Sequence, residues 1–102
     1  MNMNMNALMQ QAQKMQREME KAQKDLEAKE FEVVSAGGGI KVVITGAKEI
    51  KSIDLDKDIV DPDDKEMLQD MIVVAINDAI ALVIEEEQKI LAKQQASMRF
   101  PF

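Results

Sequence analysis

The stretch from Met67 to Ile84 sets the terms for the whole chain, because at helical spacing it is apolar on nearly every side. Leu68, Met71, Ile72, Ala75, Ile76, Ala79, Leu82 and Val83 form one broad arc, and Val73, Ile80 and Ile84 fall opposite it. A helix of that kind is expected to be buried all round. The chain has 102 residues, room for one domain, so little else is present to cover it. The longest apolar run, Met71 to Ile84, is broken by Asn77 and Asp78 and is shorter than a bilayer span of about 20 residues, so a core helix and no membrane partner are expected.

The start of this helix is written in Asp61-Pro62-Asp63-Asp64. Asp61 is suited to the N-cap, Pro62 to the first helical position, and Asp63, Asp64 and Glu66 to the positive end of the helix dipole. The spacing predicts a helix over about 62–94 and a flexible tail over 97–102.

At the other end, residues 3–29 contain no Gly or Pro and are rich in Met, Gln, Glu, Lys and Ala, which predicts a first long helix. Its apolar positions, Leu8, Ala12, Met15, Met19, Ala22 and Leu26, are spaced 4, 3, 4, 3, 4. That is a heptad seam, narrower than the face of an ordinary globular helix. Such a helix is about 40 Å long, while a compact domain of this size has a radius of gyration near 13 Å. Part of it should project or pack on another chain.

Between the helices, Phe31, Val33, Val34, Ile40, Val42, Val43, Ile44, Ile50, Ile53 and Leu55 are strand formers. Gly37-Gly38-Gly39 and Gly46–Glu49 interrupt them as turns, predicting a three-stranded antiparallel meander over about 31–55. The expected fold is a single α+β domain over 1–102: long helix, three-stranded antiparallel sheet, long helix, dimeric, with projecting helices. One three-stranded sheet covers only one side of the apolar helix, and a second subunit is the economical cover for the rest.

Little catalytic chemistry is available. Cys and His are absent, which removes disulfides, thiolate and imidazole metal sites, and every Cys- or His-based mechanism. The triple glycine lacks the helix start and Lys-Ser/Thr pair of a phosphate loop. Asp54, Asp56 and Asp58 fit the first positions of a calcium loop, but Ile59 and Lys65 stand where that loop needs Gly and Glu. No enzyme activity, cofactor or metal is expected. The amino terminus lacks the basic start and apolar core of a signal peptide, so the expected compartment is the cytoplasm.

The informative surface is on the first helix. Lys14, Arg17, Lys21 and Lys24 are spaced 3, 4, 3 and fall within an arc of about 80°. With Leu8 at heptad position d they occupy c, f, c, f, away from the seam, and Glu18, Glu20, Asp25 and Glu27 flank them at g, b, g, b. This row is either a solvated coiled-coil exterior or a phosphate-tracking stripe. Composition alone favours the first, because residues 1–30 carry five basic and five acidic groups. Residues 61–102 carry nine acidic against four basic groups, so any contact to DNA must come from a locally basic surface.

Four segments together resemble the YbaB/EbfC family of small bacterial nucleoid-associated proteins: Ala7-Leu-Met-Gln-Gln-Ala-Gln-Lys-Met-Gln, Gly38-Gly-Ile-Lys-Val-Val-Ile-Thr-Gly46, Asp63-Asp-Lys-Glu-Met-Leu-Gln-Asp70 and Ala75-Ile-Asn-Asp-Ala79. The resemblance implies a homodimer whose long helices extend like the arms of tweezers, and double-stranded DNA bound by the helical parts, in the nucleoid. It implies DNA organised by bending or coating, with an effect on transcription. Carried onto this chain, the positions suited to phosphate contact are Lys14, Arg17, Lys21 and Lys24, joined by Lys89, Lys93 and Arg99, with amides at Gln10, Gln13 and Gln16. The alternative is a protein-interaction module that recruits replication or recombination proteins, with DNA binding incidental.

Overall fold

A computed structural model of the chain describes residues 4–97. It consists of helix α1 (Met5–Ala28), strands β1 (Glu30–Ser35), β2 (Ile40–Thr45) and β3 (Ile50–Leu55), and helix α2 (Lys65–Ser97). The sheet is an antiparallel meander of order β1-β2-β3, with Phe31 opposite Ile44 and Val42 opposite Ile53. The α-β-β-β-α order is the one expected. Residues 98–102, most of the expected flexible tail, and with them Arg99, lie outside the described residues. Ser97, where that tail was expected to begin, is the last residue of α2.

Alternation along β2 explains how the layers meet. Ile40, Val42 and Ile44 point to one face and are fully buried against α2, whose Ala75, Ala79 and Val83 are equally buried. Small residues at 75 and 79 let the helix axis lie close to the sheet. Each fully buried Ile or Val on that face contributes about 1.5–3 kcal/mol of transfer free energy, so this contact anchors the fold. By length and composition α2 is apolar enough to cross a membrane. Here its Ala75–Ala79–Val83 edge is spent on the sheet, as in a core helix.

Two expectations about α2 are corrected. The helix begins at Lys65, three residues after Pro62. The Asp61 carboxylate accepts from the Asp63 amide at 3.0 Å, and its carbonyl accepts from the Asp64 amide at 3.0 Å, so Asp61 and Pro62 open a turn. Asp64 does the capping, accepting from the Met67 amide at 3.2 Å. Pro fits the second position of a tight turn as well as the first position of a helix, and the residues alone do not separate the two. The helix is also not buried all round within its own chain: Met67, Val73, Val74, Ile84 and Leu91 are exposed.

The end of α1 is held at one point. Leu26 is buried, and the Gly46 amide donates to the Lys29 carbonyl at 2.9 Å where the chain passes from helix to sheet. A side chain at Gly46 would overlap the Leu26 carbonyl. In the β1–β2 turn the glycines serve backbone conformation: φ is +64° at Gly37 and +97° at Gly38, the region side chains avoid. Beyond Leu26, α1 leaves the body. The radius of gyration is 20.6 Å and the molecule measures 76 × 24 × 17 Å, far from the near 13 Å radius of a compact domain.

Candidate nucleic-acid interface

The α1 arm starts at Asn4, whose side chain accepts from the Asn6 amide at 3.0 Å, and runs for 24 residues without interruption. On it, Lys14, Arg17, Lys21 and Lys24 are all exposed, and among the described residues none of them forms an ion pair. The next cation, Lys29, leaves the row. It caps the helix in extended conformation, and its ammonium lies 5.1 Å from the centre of the Phe31 ring.

The stripe faces away from the chain's own packing. α1 and the C-terminal half of α2 run side by side, separated by a slot of about 560 Å³ lined on the α1 side by Gln16, Met19, Glu20, Gln23 and Leu26. At 100° per residue those positions centre about 140° from the basic row, so the row looks outward. Gln10 continues the row at heptad position f and Gln13 borders it, while Gln16 stands on the wall of the slot.

Among the described residues, the other sequence-predicted cations, Lys89 and Lys93, are not brought to this surface. Lys89 and Lys93 lie on α2 at about 140–180° from its slot-facing residues, so they occupy the opposite outer side of the two-helix arm. Lys89 is also engaged locally, 3.4 Å from Glu86 and 3.9 Å from Glu85. On the body, Lys48 pairs with Glu87 at 2.8 Å and Lys41 with Glu32 at 3.7 Å. Among the described residues the candidate interface therefore reduces to the four α1 residues. Sequence reading missed the slot, whose α2 wall is Ile84, Glu87, Gln88, Ile90, Leu91 and Gln94; only the angle between the helices places these residues opposite α1.

Such a surface is suited to a polyanion. Four long, unpaired cations recur once per helical turn, no aromatic platform stands among them, and acids at Glu18, Glu20, Asp25 and Glu27 bound the row on both sides. Flexible point charges without stacking partners fit a duplex backbone better than unstacked bases. The described residues include no cluster of acidic side chains arranged to hold a metal ion.

Comparison with known proteins places this arrangement among relatives. Residues 1–98 match the YbaB/EbfC DNA-binding family. A nucleoid-associated protein of Ruminiclostridium cellulolyticum is 61% identical over 77 residues, 76% of this chain and 67% of that one. A nucleoid-associated protein of Clostridium novyi is 48% identical over 99 residues, 97% and 87% of the two chains. The crystal structure of an uncharacterized protein of Helicobacter pylori matches with a TM-score of 0.70 and 25% identity, over 93% of this chain and 99% of that one.

Proposed function

This chain belongs to the YbaB/EbfC DNA-binding family, and from that premise we propose that it is a homodimeric nucleoid-associated protein holding double-stranded DNA by its phosphates. The observation that carries this reading is the outward row of Lys14, Arg17, Lys21 and Lys24, free of ion pairs on a helix that leaves the body. Contacts of this kind position a protein without reading sequence, which suits coating or bending of DNA and a general effect on transcription. The relatives' names support a site of action in the bacterial nucleoid, within the cytoplasm.

The homodimer rests on what the body leaves uncovered. α2 packs on β1 and β2 and barely reaches β3. On β3's inward face Ile53 is 40% exposed, and on α2 Val73 is 56% exposed. Val73 and Ile80 lie on the flank of α2 that further along carries Glu87, whose bridge to Lys48 in the β2–β3 turn places that flank on the β3 side. A second copy docked there completes the cover that one sheet cannot give.

A salt titration tests the DNA reading. With four phosphates contacted per chain, log K against log salt has a slope on the order of −7 for the dimer. Replacing Lys14, Arg17, Lys21 and Lys24 by Gln abolishes most of that dependence while the fold is kept; unchanged binding would overturn the assignment. The acidic body, nine acidic against four basic groups over 61–102, favours a second reading in which a replication or recombination protein is the main partner. One stoichiometric partner recovered by pull-down, with no DNA binding at about 0.15 M salt, would select it.

A further inference from the structure

The two helices of the arm run alongside each other without closing. Each wall of the slot between them presents apolar residues seven apart: Met19 and Leu26 on α1, Ile84 and Leu91 on α2. Seven-residue spacing belongs to helix surfaces that mesh with another helix knob-into-hole. Toward the tip the α1 seam runs on uncovered, with Leu8 41% exposed and Ala12 exposed. Even Met19, inside the slot, is 39% exposed. α1 and α2 are the chain's two α-helices among the described residues, so it has no third to offer.

From this geometry we infer that the slot receives the arm of a second copy belonging to a different dimer, two α1–α2 arms closing into a four-helix bundle with their α1 seams inside. The occupant is identified by period. The α1 seam, spaced 4, 3, 4, 3, 4, is itself the sequence with the repeat that both walls require. Its flanking heptad positions hold Met9, Gln11, Gln16, Glu18, Gln23 and Asp25, four of the six uncharged, so the contact is carried by apolar packing of the seam. The bundle leaves the lysine row on its outside, about 140° away, and DNA and the second arm use different surfaces. Four-helix bundles pack such seams with helices close to antiparallel or parallel, as these arms allow.

This step rests on the homodimer reading, because that contact uses the body and this one the arm. Two different isologous contacts on one chain join dimers into larger assemblies, closed tetramers or open rows according to the angle between their two-fold axes. Duplexes held on neighbouring arms are then drawn together, and binding to DNA becomes cooperative.

The absence of cysteine makes a direct test available. Met19→Cys places a thiol in the slot, and Lys21→Cys places one on the opposite face two residues away. After treatment of the full-length variants with a short bis-maleimide, Met19→Cys gives at least about tenfold more covalent pairs than Lys21→Cys, in native particles of four or more chains. Adding Leu8→Asp to Met19→Cys removes that excess while two-chain particles persist. Equal yields from the two thiols, or covalent pairs confined to two-chain particles, would overturn the inference. Val73→Asp separates the two contacts: it reduces particles to arm-linked pairs that still cross-link through position 19. If Val73→Asp leaves particle mass unchanged, the proposed body contact fails and the arm contact stands.

Discussion

The two long helices are built by opposite rules. α2 carries apolar residues around most of its circumference and is fixed by a short edge, Ala75–Ala79–Val83, pressed onto the sheet. α1 carries a narrow seam, is buried only at Leu26 with Met15 and Ala22 half-buried, and spends most of its length in solvent. The difference teaches that apolar content and burial are separate properties. The more apolar helix still leaves Val73, Ile84 and Leu91 exposed, and the more polar one buries a single leucine, beside a glycine that makes room for it.

Putting the same change into both helices breaks the comparison most sharply. Ala79→Asp places an unpaired carboxylate in a fully buried position and costs about 4 kcal/mol or more, enough to lose most of the folded population in a urea titration. Ala7→Asp, exposed on α1 and off its apolar seam, stays within about 0.5 kcal/mol of the parent. Similar losses at the two positions would mean that α1 is packed along its length.

Next in size, the combined Gln variant of Lys14, Arg17, Lys21 and Lys24 separates function from fold. DNA affinity at low salt falls about a hundredfold or more in a gel shift, with the urea midpoint unchanged. A matched Lys89→Gln, Lys93→Gln variant has a smaller effect, because those side chains lie on the other side of the arm and Lys89 is held by Glu85 and Glu86.

Gly46→Ala tests the single attachment of α1. The added methyl meets the Leu26 carbonyl and shifts the helix end at a cost of about 2 kcal/mol, read as a lower thermal midpoint and faster amide exchange at the end of α1. The smallest effect is expected for Glu87→Gln. That bridge to Lys48 is partly solvated and contributes about 0.5 kcal/mol or less, a loss that high salt erases.

How much of this was legible in the sequence follows from which facts are local. Alternation in Ile40–Thr45, the glycines at 37 and 38 and the heptad from Leu8 to Leu26 are local patterns, and the element order and the solvent-facing lysines followed from them. The helix start was misplaced by three residues because Asp61-Pro62 is as good a turn as a cap, and only the hydrogen bonds to Asp63, Asp64 and Met67 decide. Lys89, Lys93 and Gln16 were grouped with the stripe because charge and amide chemistry carry no record of the angle between two helices. That angle is set where Leu26 meets Gly46, and the two are twenty residues apart in the chain.

Sedimentation equilibrium of the unmodified protein at micromolar concentration is the most direct check on the claim that this chain cannot hide its own apolar helix. The expected result is no folded species smaller than a two-chain particle, with helix content lost as dilution splits it. A single chain that stays helical and cooperatively folded across that range would contradict it.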